Sequence, residues 1–258
     1  MCLLIFAHGL DPRYPLVVAA NRDEFHGRPT TVSGFWPEHP TLLAGRDLEQ
    51  GGTWMGITRS GRFAAITNYR DPSRTAPAPR SRGELPLTYL NSDQAPEQFL
   101  LAISARAQEY AGFNLLVGNQ DSLWYFTNSQ DPGEQAPQCL PPGIYGLSNA
   151  RLDTPWPKVL LGKNKLRATL EQGPLDHDSL AAVVGDSQLA DPQTLRLHGM
   201  DSGMDQLLSA QFIITDSYGT RSTTSLWTDV GGRVFWRELS FNPDGKVRDI
   251  REEKFSLR

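Results

Sequence analysis

A cysteine stands second in the chain, directly ahead of an apolar run, in MCLLIFAHG (1–9), and only one other cysteine, Cys139, follows. Removal of one methionine would make Cys2 residue one. A thiolate is a strong nucleophile, and a nearby guanidinium lowers a thiol from its usual pKa of about 8.5. A freed α-amine, with a pKa of about 7.7–8.0, can serve as the base. Such a cysteine needs no histidine partner, and the five histidines (8, 26, 39, 177 and 198) fall in no recognisable Cys–His motif. A chance small buried residue is the plain alternative.

The second unusual cluster is AANRDEFHGRP (19–29), where Arg22, Asp23 and Glu24 come just past the apolar segment Val17 to Ala20. Burying these charges unpaired is expensive, so they must face solvent or one another. Most clusters of this kind are inert surface pairs. Here the spacing gives a reason to look further. The segments 2–7 and 16–20 read as two strands joined through DPRYP (11–15). In an antiparallel hairpin the start of the first strand lies beside the end of the second, about 5 Å away. Cys2 is therefore predicted beside Asn21, Arg22 and Asp23.

Acyl transfer at a thiol also needs donors for an oxyanion. Asn68 in AAITNYRD (64–71) and Asn149 in YGLSNA (145–150) each follow a short strand and are candidates, although asparagine commonly ends strands as a turn residue. Arg221, in the hydroxyl-rich YGTRSTTSL (218–226), is a further candidate cation beside such a site.

Strands are predicted at 2–7, 16–20, 53–58, 62–67, 113–118, 123–127, 144–148, 211–215, 223–228 and 233–239. All are short, and β-branched or aromatic residues are common in them. Turn signals at 11–15, 59–61, 119–122 and 229–232 pair neighbours as antiparallel hairpins. Helices are predicted after a capping-box spacing at Ser81 and Glu84, across 96–110, from Thr154 with Pro155 in its first turn to Gly173, and over 179–186. Residues 26–52 and 186–210 read as long irregular stretches, with 26–52 and 69–82 framing a pocket. Strand and helix runs alternate in blocks, which suits an α+β fold of antiparallel sheets covered by segregated helices.

The 258 residues, 39% apolar and 21% charged with net charge −4, fit an ordinary globular composition. No basic patch or stripe points to nucleic acid. No run approaches the roughly eighteen apolar residues of a membrane span. The first apolar run lacks a basic leader and is too short for a signal peptide. With two cysteines and no disulfide framework, a cytoplasmic location is the expectation.

Taken together, MCLLIF, AANRDEF (19–25), GGTWMGIT (51–58), TNYRDP (67–72), SRGELP (81–86), GFNLL (112–116), YGLSNA (145–150), TPWPK (154–158) and YGTRSTT (218–224) resemble the NRDE family, also called the transport and Golgi organisation protein 2 family. The resemblance covers nearly the whole chain in order and implies a single domain over 1–258. It implies a four-layer αββα, N-terminal-nucleophile hydrolase fold, similar to cholylglycine hydrolase and penicillin V acylase. It also implies roles: Cys2 as nucleophile, Arg22 and Asp23 tuning the thiol and gripping the amine, Asn68 and Asn149 in the oxyanion hole, and Arg221 steadying charge near the thiolate. Arg22 and Asp23 are adjacent here, unlike in the acylases, and adjacent strand residues point oppositely. Glu24 is therefore an alternative partner.

Two functions stay open, beside a structural adaptor that would leave the polar constellation unexplained. One is a cysteine hydrolase of a linear amide or thioester in a small acyl substrate, requiring no cofactor. The other is a haem or acyl-CoA carrier using the same cavity, consistent with the haem trafficking and lipid homeostasis linked to the family. Cys2, His8, His26 and Met55 are the candidate haem ligands, and Trp54, Trp156 and Tyr145 the candidate cavity aromatics. No haem-attachment, zinc or calcium motif accompanies them.

Overall fold

The computed structural model describes residues 2–70, 78–129, 136–198 and 203–258. Thirteen strands are described: β1 (Cys2–Asp11), β2 (Tyr14–Phe25), β3 (Thr30–Trp36), β4 (His39–Asp47), β5 (Met55–Thr58), β6 (Phe63–Asn68), β7 (Phe113–Gly118), β8 (Leu123–Thr127), β9 (Gln138–Cys139), β10 (Gly143–Leu147), β11 (Tyr218–Thr228), β12 (Arg233–Phe241) and β13 (Val247–Ser256). The helices are α1 (Glu84–Leu90), α2 (Pro96–Ser104), α3 (Pro157–Glu171), α4 (His177–Val183), α5 (Pro192–Leu197) and α6 (Gly203–Leu207). One sheet runs β10-β1-β2-β11-β12-β13 and the other β3-β4-β5-β6-β7-β8-β9, with every pairing antiparallel.

Three apolar clusters stack through the molecule and make the four layers. Leu4, Phe6, Val18, Leu226 and Trp236 of the first sheet meet Leu43, Ile57, Phe63 and Leu116 of the second. On the outer face of the first sheet, Leu3, Ile5, Val17 and Ala19 pack under Val159, Leu166 and Leu170 of α3 and Leu180 of α4. On the outer face of the second, Leu42, Ala64, Leu115 and Val117 pack under Leu85 and Tyr89 of α1 and Phe99 and Leu100 of α2. Central strands buried on both faces have no solvent side, so they read as continuous apolar runs rather than alternating ones.

The four predicted hairpins form. Several other expectations fail, for identifiable reasons. The segment 26–52 contains β3 and β4 rather than irregular chain; Pro40 and two register shifts along the pair obscure the alternation. Residues 186–210 hold the short helices α5 and α6. QFIIT (211–215) forms no strand and contributes a single bridge, Ile214 to Gly219. The first helix is capped at Gly83, without a side-chain hydrogen bond from Ser81. The helix predicted across 96–110 stops at Ser104, and a single tight turn follows at 107–109. The strand β13 went unpredicted because it is a charged, largely exposed edge, a usual way to blunt a sheet margin. Most important for the site, β2 continues through Phe25, so Arg22, Asp23 and Glu24 lie within a central strand and not beyond its end.

Candidate active site

The register puts Cys2 opposite Arg22, as hairpin geometry required. Alternation along β1 then sends Leu3 and Ile5 toward α3, while Cys2, Leu4 and Phe6 face the space between the sheets. Arg22 shares that inner side, where its guanidinium lies 4.4 Å from the centre of the Trp54 ring. The indole in turn lies against Gly45 of β4, where a Cβ would stand 2.3 Å from the ring. Glycine at that position is what lets the stack form.

A polar pocket opens here, and Cys2, Arg22, Asp23, Glu24, Trp54 and Asn68 line it. Arg28, paired with Asp47 at 2.7 Å, forms part of its wall. Arg82 forms another part, from the segment predicted to frame the pocket, of which 71–77 lie outside the described residues. The rim is tight: a Cβ on Gly52 would stand 2.4 Å from the Gly83 carbonyl carbon, and the Thr53 N–H donates to the Gly83 oxygen at 3.1 Å. That close approach holds Arg82 over the pocket. Its guanidinium donates to the Gly112 carbonyl at 3.0 Å and has no carboxylate within 4.0 Å among the described residues.

Burial, more than any neighbouring charge, sets the thiol, and it pushes Cys2 up from its ordinary value. The guanidinium of Arg22 acts in the opposite direction but more weakly, contrary to the sequence expectation. Burial thus disfavours the thiolate, and attack by the half-buried thiol calls for a base. Asp23 sits on the opposite face of β2 from Arg22. Its Oδ1 accepts from the Thr220 hydroxyl at 2.7 Å, and burial pushes its carboxyl up. Lys158, buried at the start of α3, acts against that shift by attraction. Its ammonium donates to the Leu208 carbonyl at 2.8 Å, and burial holds it below its usual value. Sequence reasoning quoted TPWPK but gave Lys158 no role; a lysine in the first turn of a helix gave no sign that it would be buried.

The two asparagines diverge. Asn68 ends β6 with its side chain at the pocket wall, and its amide makes no hydrogen bond among the described residues. Asn149 is buried and does not line the pocket. Its Nδ2 donates to the Asn68 carbonyl at 2.9 Å, and its Oδ1 accepts from Ser148. It braces Asn68. Arg221 also falls outside the pocket. It is the extra residue of a bulge in β11 between Thr220 and Ser222, opposite Asp23 and Arg22, and bulges re-aim side chains near sites. Its guanidinium donates to the Phe25 and Arg28 carbonyls at 2.8 and 3.1 Å.

Of the candidate haem ligands, Cys2 and Met55 line one small cavity together, and the two histidines lie apart from it. His8 lines a separate cavity at the other end of the sheets, Met55 is buried in the inter-sheet core, and His26 Nε2 bonds to the Thr215 carbonyl. Among the described residues, no three His, Cys, Asp or Glu side chains cluster as metal ligands do, and no helix is long and apolar enough to cross a membrane. Of the aromatics, only Trp54 lines the pocket: Trp156 packs beneath the helices, and Tyr145 stacks on Phe6 at 5.4 Å.

A family model described as "Transport and Golgi organisation 2" matches residues 1–243. The cattle "Transport and Golgi organization protein 2 homolog" is 37% identical over 93% of each chain, and the human homolog 36% identical over 100% of each. Among solved structures, a conjugated bile acid hydrolase mutant from Clostridium perfringens aligns with a TM-score of 0.45 at 12% identity, over 100% of this chain and 98% of that one. The Caenorhabditis elegans ortholog of N-acylethanolamine-hydrolyzing acid amidase aligns at 0.43 and 9%, over 87% of this chain and 92% of that one.

Proposed function

The chain belongs to the Transport and Golgi organisation 2 family, and on that footing we propose that it is a cysteine hydrolase of linear amide or thioester bonds. The observation that carries this reading is the meeting of Cys2, Arg22, Asp23 and Asn68 around one open polar pocket. Loss of Met1 supplies the base. The α-amine of Cys2 takes the thiol proton, and Sγ bonds to the acyl carbon. The Asn68 amide is the free donor for the resulting oxyanion, and Asn149 fixes its backbone. When the carbon–nitrogen or carbon–sulfur bond breaks, the amine returns its proton to the leaving group. Water then hydrolyses the acyl-thioester, giving up one proton through the same amine. Asp23 holds the ammonium form, and Arg22 with its Trp54 partner stabilises negative charge at the sulfur.

One feature favours the carrier reading as a second possibility. An apolar groove lined by Phe25, Leu207, Ile213 and Tyr218 adjoins the pocket and shares Glu24 and Asn68 with it. An acyl chain, or a haem, could rest there without turnover.

The two readings separate on one variant. With a panel of acyl thioesters and N-acyl amines, Cys2→Ala is expected to lose turnover at least about a thousandfold while keeping ligand affinity. Ligand retention by a wild type without turnover of any member of the panel would overturn the hydrolase and leave the carrier.

A further inference from the structure

On the far side of the Arg22–Trp54 stack lies a second crevice, which the acyl chemistry does not use. It runs between β3 and the strands β11 to β13 as a narrow space open to solvent, about 20 Å³ in volume. Three guanidinium groups reach it: Arg22 from β2, Arg221 from the bulge and Arg248 from the exposed edge strand. The hydroxyl-bearing Thr30, Thr31, Ser222 and Ser240 also line it.

Arg22 is 6% exposed, and its Nη1 is buried with no hydrogen-bond partner. An unpartnered buried donor of this kind costs stability and calls for an explanation. Neither Arg221 nor Arg248 has a carboxylate within 4.0 Å among the described residues. Arg221 is held below its usual value by burial and then by the charges of Arg22 and Arg248, against a weaker attraction from Glu24, whose carboxylate also lies 4.0 Å from Arg22 Nη2. The only acid in the lining is Glu238. Its Oε1 accepts from the Ser33 N–H at 2.9 Å, and its Oε2 is a second buried atom with no partner. Burial pushes this carboxyl up to about 7, so near neutrality it is available as a donor as well as an acceptor.

We propose that this crevice binds a tetrahedral oxyanion, the phosphate group of a small molecule, with one oxygen reaching Arg22 Nη1 and Glu238 and the others held at the mouth by Arg221 and Arg248. The three guanidinium groups come from three separate strands, β2, β11 and β13, and together offer more donors than the two oxygens of a carboxylate can use. Guanidinium groups supply the charge-assisted bonds such a group requires. The site shares Arg22 and Trp54 with the hydrolase pocket but does not depend on that reading, since an anion can fill it whether or not Cys2 turns over.

Calorimetric titration of the full chain with sulfate tests this, because sulfate keeps a fixed charge over the working range. One saturable site is expected, weakened by about tenfold in Arg248→Gln through loss of a charge-assisted contact. Ionisation of Glu238 sets a repelling charge in the site, so wild-type affinity should fall several-fold from about pH 6 to about pH 8 and stay flat in Glu238→Gln. Inorganic phosphate and methyl phosphate, run in parallel, distinguish a free ion from an esterified group, and saturable binding of either supports the site. Absence of saturable sulfate binding below about 10 mM, equal binding by Arg248→Gln, or acetate binding as tightly as sulfate would each overturn the proposal. Should Glu238→Gln fail to fold, Arg248→Gln, altered only at an exposed position, still decides.

Discussion

The strand β2 changes chemistry at its midpoint, and β11 changes with it. From Leu16 to Ala20 the strand is apolar and pairs with Thr224, Ser225, Leu226, Trp227 and Thr228 at one end of the sheet. From Asn21 to Glu24 it is polar and pairs with Thr223, Ser222, Thr220 and Gly219 at the other. Both halves are buried, yet they face opposite energetic terms. The apolar half gains from leaving water. The polar half must replace every lost hydration bond, and mostly it does. The Asn21 amide donates to the Val184 and Gln211 carbonyls, each at 2.8 Å, and its oxygen accepts from Thr223 at 2.6 Å. Among the described residues, the atoms left without a partner on this side are Arg22 Nη1 and Glu238 Oε2, and both belong to residues that line the second crevice. The apolar half therefore carries stability, and the polar half uses some of it to keep charged groups poised.

Substitutions that act on one half only can break this contrast. The largest effect is expected from Phe6→Ala in β1, opposite Val18 of the apolar half. Phe6 is 1% exposed and stacked on Tyr145, and its loss should cost about 3–5 kcal/mol in denaturant unfolding. A cost under about 1 kcal/mol would mean that this half is not the stabilising one.

Glu238→Gln should act in the other direction. The folded-state value of Glu238, about 7, lies above the ordinary 4.5. The folded state thus binds the proton more tightly, and stability declines as pH rises from about 4.5 through about 7. Glutamine removes that penalty. The variant should gain up to about 3 kcal/mol at pH 8 and little near pH 4. Chemical unfolding at both values checks it, and equal effects at the two would contradict the assignment.

A smaller and opposite pH effect is expected from His177. Its Nδ1 meets the Ser225 hydroxyl at 2.7 Å, its ring lies 4.5 Å from that of Trp227, and burial lowers it from 6.5 to about 4. Here the unfolded state binds the proton more readily, so stability is lost as pH falls from about 6.5 through about 4. The partial exposure of the ring limits the loss to about 1–2 kcal/mol. His177→Gln should flatten that limb of the curve, and an unchanged acid limb would show that His177 does not set it.

The same contrast explains what the sequence disclosed. The apolar half of β2 and its hairpin partner were legible because one register satisfies both buried faces, and that register carried Cys2 to Arg22 without further information. The polar half was misread as a strand end, since NRDE looks solvent-exposed until β11 is known to lie against it. The resemblance implies Asn149 in the oxyanion hole and Arg221 near the thiolate, and neither lines the pocket that holds Cys2. One instead braces Asn68, and the other is swung away by a bulge that no local pattern announces. Arg82, Lys158 and Glu238 escaped notice because their burial depends on chain segments far away in sequence.

Intact-mass analysis of purified protein after exposure to a long-chain acyl β-lactone tests the central claim most directly. The account predicts loss of Met1 and one acyl adduct, mapped to Cys2, absent in Cys2→Ala and not shared by the exposed Cys139. Full retention of Met1 with no adduct, or equal labelling of both cysteines, would contradict it.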